Sequence, residues 1–179
     1  AFGETIGLLN SKGFDSQENN GENIAALADL PLMVDPDKLS IIRLTSSMVP
    51  AAFLGMPALF PLLVLIQIKT SIEHGNSPQA AYSYASSGLL LNLILNDINA
   101  AERFGELALE LTFNLPSKTV KSKAYFVVAA FITHHTSHLK EALTLMRQSY
   151  QMALESGNLE YVGYTVFHIC HDAYLLGNE

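Results

Sequence analysis

From Leu44 to Ile68 the sequence carries no charged side chain, and this run limits the fold more than any other feature. A membrane-spanning helix needs about 20 consecutive apolar residues, so the length alone raises that reading. Pro50, Pro57 and Pro61 interrupt the run, with Gly55 among them. Inside a helix a proline removes a backbone donor and clashes with the preceding turn, whereas in the first turn it does neither. The pattern predicts two buried helices rather than one membrane span. The first runs from Asp35-Pro36 to about Val49, and the second opens at Pro57 and stops at His74-Gly75.

A chain of 179 residues is long enough to enclose one core. Hydrophobic residues make up 49% of it against 15% charged, so much of the surface is expected to face other protein. The formal charge is −7, and the ten Lys and Arg are scattered except for Lys118, Lys121 and Lys123. Phosphate-backbone binding wants a concentrated basic face, which argues against nucleic acid as a partner. The single cysteine, Cys170, excludes an internal disulfide and a Cys-rich zinc module, and it suits a reducing cytoplasm. The chain begins Ala1-Phe2-Gly3 without an initiator Met or a basic-then-apolar leader, and the expectation is that it continues in a longer parent.

Asn10 to Asn23 is polar and glycine-punctuated, which predicts a linker; residues 1–27 are read as linker and tail of a preceding region, and residues 28–179 as one helical domain. Within it Ser77-Pro78 opens a helix to about Asn96, and Asn99 with Glu102 forms a capping box for the next. In that helix Ala101, Phe104, Ala108 and Leu111 share one face while Glu102, Arg103, Glu106 and Glu110 take the other. A largely buried helix follows over about 117–133. Leu139, Ala142, Leu143, Met146, Tyr150, Ala153 and Leu154 mark another that stops at Gly157, and Asn158 opens the last, to Gly177. No strand pattern is present.

About seven helices with very short links imply antiparallel hairpins. An internal echo supports a repeat. His74-Gly75-Asn76-Ser77-Pro78-Gln79-Ala80-Ala81-Tyr82 resembles Ser156-Gly157-Asn158-Leu159-Glu160-Tyr161-Val162-Gly163-Tyr164, two hairpins of about forty residues later. Small residues at Ala101, Ala108, Ala142 and Ala153 fall where second helices of tetratricopeptide hairpins approach closely. The predicted fold is therefore all-α, antiparallel hairpins stacked as a tetratricopeptide-like right-handed repeat.

Four stretches extend this to a family. Ala28-Asp29-Leu30-Pro31-Leu32-Met33-Val34-Asp35-Pro36-Asp37-Lys38-Leu39, Pro57-Ala58-Leu59-Phe60-Pro61-Leu62, His74-Gly75-Asn76-Ser77-Pro78 and Glu155-Ser156-Gly157-Asn158-Leu159-Glu160-Tyr161 resemble the helical region of large bacterial, mainly cyanobacterial, multi-sensor signalling kinases. Proteins of that family carry a serine/threonine-kinase-like domain, an AAA-type ATPase domain, this helical region, a GAF sensor and a histidine kinase. The resemblance spans about Ala28 to Gly177. It implies a place between an ATPase and a sensor-kinase half, and it carries no catalytic residue onto this chain.

The residues themselves agree that nucleotide chemistry lies elsewhere: there is no G-x-x-x-x-G-K-[ST] loop, no kinase glycine loop and no H-R-D with D-F-G. Ser137-His138-Leu139-Lys140-Glu141 superficially matches a phospho-accepting histidine box but lacks its acidic residue and proline, so a polar helix start is the preferred reading. His134 with His138, and His168 with His171, have the spacing of two imidazoles on one helix face and could hold a metal with Asp172. Against this, the first pair straddles a helix junction, and hydrogen-bonded or interface histidines are the plainer reading. No cofactor is expected. The tyrosines Tyr82, Tyr84, Tyr161, Tyr164 and Tyr174 could line a groove or lock one helix to the next. The candidate interaction surface is Tyr82, Tyr84, Tyr161, Tyr164, Phe167 and Leu175.

The last helix is apolar on most sides, and two-fold self-association through it is expected. The functional expectation is a cytoplasmic, non-catalytic coupling or protein-interaction module, with neighbouring domains or another protein as partner. The alternatives are a sensory domain for a small apolar ligand or peptide and, more remotely, a His-based metal hydrolase.

Overall fold

The structure, a computed structural model, describes residues 24–177. The linker expected at Asn10 to Asn23 lies outside them. Among the described residues there are seven α-helices and no sheet: α1 (Pro36–Gly55), α2 (Phe60–His74), α3 (Ala80–Leu90), α4 (Ile98–Thr112), α5 (Lys118–Phe131), α6 (Leu139–Glu155) and α7 (Leu159–Leu175). A π-helical turn, Leu91–Leu95, prolongs α3, and short 3-10 turns occupy Ala26–Asp29 and Thr133–His135. None of these helices is long and apolar enough to cross a membrane.

Local chemistry sets the helix starts. The Asp35 carboxylate accepts from the amides of Asp37 (2.9 Å) and Lys38 (3.3 Å), and Pro36, which has no amide to offer, takes the first position of α1. Ser117 caps α5 through the Val120 amide at 3.3 Å. The cap of α4 is not the Asn99–Glu102 box but Asp97, whose carboxylate accepts from the Ala100 amide at 2.9 Å. Asn96 adopts a left-handed conformation (φ 52°), so the chain turns there, and Asn99 and Glu102 fall inside the first turns.

The uncharged run also differs from expectation in its boundaries. Helix α1 does not end before Pro50 but continues to Gly55, and α2 opens at Phe60 with Pro61 in its first turn instead of Pro57. A mid-helix proline costs about 3 kcal/mol. Burial offsets it, because Val49 and Ala52 lie in the core on either side and Phe53 packs edge-on against Phe60 and Phe131 at 5.3 and 5.4 Å. Met56, Pro57 and Ala58 form the exposed corner between the helices.

Sequence neighbours pack in order: α1 on α2, α3 on α4, α5 on α6, and α7 on α6. Alternate helices also meet, α3 on α5 and α5 on α7, which puts α5 at the centre of the core. Small residues permit the approach. Ala81, Ala108, Ala124, Ala142 and Ala153 are fully buried, and a Cβ on Gly88 of α3 would lie 2.8 Å from the Ala101 carbonyl oxygen of α4. Across α5 and α6 the Ser149 hydroxyl donates to the Ser122 carbonyl at 2.7 Å.

The two echoing segments occupy the α2–α3 and α6–α7 corners, two hairpins apart. At the first, Gly75 has φ 96° and ψ 178°, a region essentially confined to glycine, and a Cβ there would collide with the Pro31 carbonyl oxygen. The chain before α1 is tied down at that point. Ile24 and Leu27 are buried in the common core; the Asn76 amide donates to the Pro31 carbonyl at 2.7 Å, and the Met33 amide donates to the Asn76 carbonyl at 2.9 Å. The Asn76 side chain donates to the Leu27 carbonyl and accepts from the Tyr84 hydroxyl, both at 2.7 Å. At the second corner Gly157 is also left-handed (φ 71°), but nothing lies within 4 Å of a Cβ built on it.

Candidate functional site: an aromatic cavity between alternate helices

A cavity of about 250 Å³ lies where α1, α3, α5 and α7 come together. Helix α1 contributes Val49, Pro50, Phe53 and Leu54; α3 contributes Tyr82, Ser86 and Leu89. Helix α5 supplies Phe126, Val127 and Phe131, and α7 supplies Tyr161, Tyr164, Phe167 and His168. Phe60, the first residue of α2, completes the wall; α4 and α6 contribute nothing to it. Leu54 and Phe167 are exposed and form a rim, whereas Phe60, Tyr82, Leu89, Phe126, Val127 and Tyr161 are buried.

The wall is a connected aromatic set. From Phe53 contact passes to Phe131 (5.4 Å between ring centroids), then to Phe126 (6.0 Å), Tyr161 (5.5 Å) and Tyr82 (6.4 Å), each pair edge to face. Phe126 stacks on Tyr164 at 5.7 Å, and His168 sets its ring against Phe126, Phe131 and Phe167 at 5.3 to 5.9 Å. Helices α1 and α7, far apart in sequence, are thereby joined through α5. Edge-to-face pairs of this kind each add about 0.5–1.5 kcal/mol beyond the area they bury.

The polar groups at the wall are largely satisfied within the chain. The Tyr161 hydroxyl donates to the Tyr82 hydroxyl at 3.0 Å, the Ser86 hydroxyl donates to the Tyr82 carbonyl at 2.9 Å, and the Tyr164 hydroxyl donates to Glu160 at 3.1 Å. Burial pushes the phenols of Tyr82 and Tyr161 well above their ordinary range, so both are neutral. Beside them the Lys123 ammonium sits 5.4 and 5.2 Å from the centroids of the Tyr82 and Tyr161 rings, a cation–π arrangement. Burial lowers the pKa of Lys123, and Glu160 opposes the shift. His168 makes no hydrogen bond to the described residues, and burial lowers its pKa while Asp172 partly restores it.

Of the candidate interaction residues, the structure brings Tyr82, Tyr161, Tyr164 and Phe167 together on this wall. Tyr84 is fully buried elsewhere, bound to Asn76, and Leu175 lies exposed beyond the wall on the same helix as Phe167. Tyr174 is also exposed. The phenylalanines of α1, α2 and α5 were not singled out by sequence, and His168 was considered there only as a metal ligand beside His171. Their shared feature is position on alternate helices, which only the hairpin register could have indicated.

The two histidine pairs differ. His134 lies in the 3-10 turn with its ring tilted against that of His135 at 4.1 Å, whereas His138 caps α6, its Nδ1 accepting from the Lys140 amide at 3.1 Å. His168 and His171 share α7 with ring centroids 6.5 Å apart, and His171 Nδ1 lies 3.1 Å from the Asp172 carboxylate. Among the described residues no group of three or more His, Cys, Asp or Glu is placed to hold a metal ion. No protein-family model matches the chain, and no curated protein or solved structure matches it either.

Proposed function

We propose that this chain is a non-catalytic helical-repeat module, tetratricopeptide-like in its stacking, that binds or couples protein neighbours. The observation that carries the reading is the division of labour among helices. The odd-numbered helices share one cavity wall, and α4 and α6 back them from outside. In a helical solenoid the first helices of successive hairpins line a common inner face in this way, and that face is the usual binding surface. The resemblance to multi-sensor kinases supports a place between an ATPase and a sensor-kinase half in the cytoplasm, with flanking domains or another protein as partner.

A second contact surface is the exposed side of α7, which adjoins the cavity at Phe167. Phe167 is 68% and Leu175 60% exposed, with Leu159, Val166 and Tyr174 exposed on the same helix. A second copy is the simplest cover for such a face. Sedimentation of the wild type and of the Phe167→Lys, Leu175→Lys double variant tests this. The wild type is expected to self-associate, and the variant to be monomeric with the same helical circular dichroism. A wild type that stays monomeric at high concentration, or a variant that associates unchanged, overturns it. The aromatic cavity favours one alternative within the same architecture, a sensory domain for a small apolar ligand.

A further inference from the structure

We propose that the cavity between α1, α3, α5 and α7 is a binding site for a small neutral apolar molecule of one or two rings bearing a single polar group, and that its occupancy ties α1 to α7. The inference rests on the reading of the odd-numbered helices as one inner face and adds an occupant to it. Size comes first. An apolar cavity of about 150 Å³ already holds benzene, and this one has about 250 Å³. A helix with its side chains is about 10–12 Å across and does not fit.

Polarity narrows the class. An extended peptide needs partners for its backbone amides and carbonyls, and here the hydroxyls of Tyr82, Ser86, Tyr161 and Tyr164 are engaged within the chain. No Asp, Glu, Lys or Arg lines the wall, and Lys123, which meets the Tyr82 and Tyr161 rings, is not among the lining residues, so an ionised ligand would lose hydration without direct contact with a counter-charge. His168 is the polar side chain left over, half-buried among three phenylalanines, and its imidazole suits one hydroxyl or amide on the ligand.

Position gives the consequence. Helix α1 packs chiefly on α2, and α7 packs on α6 and α5, so the two ends of the stack meet mainly around this space. A molecule filling it touches both ends at once and favours the arrangement that holds it, which is how a ligand shifts a conformational equilibrium.

The test uses 2-naphthol and its ionised counterpart 2-naphthoate with the full chain at neutral pH. Calorimetry is expected to show saturable one-to-one binding of 2-naphthol and binding of 2-naphthoate weaker by about tenfold or more. Val127→Phe, which fills the cavity, is expected to abolish 2-naphthol binding while circular dichroism stays helical. Should that variant fail to fold, Phe167→Ala at the exposed rim is expected to weaken binding several-fold with the fold intact. No saturable binding, equal affinity for the two compounds, or undiminished binding by a folded Val127→Phe overturns the site. Dissociation of a dimer by 2-naphthol would assign the space to a second copy and equally overturn it.

Spin labels on exposed Cys170 of α7 and on Leu44→Cys, exposed on α1, diluted with unlabelled chain, read the coupling. Their distance distribution is expected to narrow when 2-naphthol binds. Binding without narrowing overturns the coupling of the ends. Absence of binding in a chain that still self-associates through α7 overturns this inference and leaves the interaction reading intact.

Discussion

Replacing Gly75 with Ala is expected to do much more damage than the same change at Gly157, although both glycines end helices with positive φ. At Gly157 nothing lies within 4 Å of the new Cβ, so the only cost is the left-handed conformation, about 1–2 kcal/mol. At Gly75 the backbone region itself costs about 1–3 kcal/mol. The Cβ also displaces the Pro31 carbonyl, breaking the hydrogen bonds from Asn76 to Pro31 and from Met33 to Asn76. At about 1 kcal/mol each, these bring the loss to about 3–5 kcal/mol. For a domain of this size each kcal/mol moves Tm by about 2–4 °C. Thermal unfolding should therefore shift by about 10 °C for Gly75→Ala and by a few degrees for Gly157→Ala. Hydrogen exchange should show protection lost at the amides of Met33 and Asn76 first. Equal shifts for the two variants would refute the argument that the chain before α1 is clamped at this corner.

Three further expectations concern polar side chains. Tyr84→Phe leaves the buried Asn76 Oδ1 without its donor and should cost about 1–3 kcal/mol by denaturant titration; a neutral result would contradict the bond. Asp97→Ala should cost about 1 kcal/mol as a lost N-cap, while Asn99→Ala should stay within about 0.5 kcal/mol. In alkali, Tyr82, Tyr84 and Tyr161 hold their protons because burial raises their pKa above the ordinary 10.0. Above that pH the unfolded chain binds fewer protons than the folded one, so the stability present below it is lost as pH rises. Phenolate absorbance should show three of the seven tyrosines ionising only with loss of helicity; one common step in a folded chain would contradict their burial.

The helices were legible because their signals are local. Asp35-Pro36 and Ser117 open helices as caps of their type do, Gly157 closes one, and the 3.6-residue pattern of α4 and α6 names most of their buried faces, although Leu154 is exposed. Pro50 misled because its cost is local, whereas its compensation, the packing of Phe53 on Phe60 and Phe131, depends on residues in two other helices. Asp97 was overlooked for Asn99 because a left-handed Asn96 shifts the helix start and leaves no pattern of its own. The cavity was legible in part. Tyr82, Tyr161, Tyr164 and Phe167 stood out as aromatic residues, but a phenylalanine at 53, 126 or 131 reads as ordinary core until the register of alternate helices is known. Tyr84 shows the converse: its spacing matches Tyr82, yet two residues along a helix turn the side chain to another face, where Asn76 takes its hydroxyl.

The central claim is that alternate helices, distant in sequence, close one aromatic wall, and nuclear Overhauser contacts between assigned aromatic protons test it most directly. The structure predicts contacts from Phe53 of α1 to Phe131 of α5, from Phe131 to His168 of α7, and from Tyr161 of α7 to Tyr82 of α3, with centroids 5.4, 5.9 and 6.4 Å apart. Observing all three in the full chain would establish the wall. Their absence, with contacts only between helices adjacent in sequence, would show hairpins that stack without enclosing a shared space, and would contradict both the inner face and the site built on it.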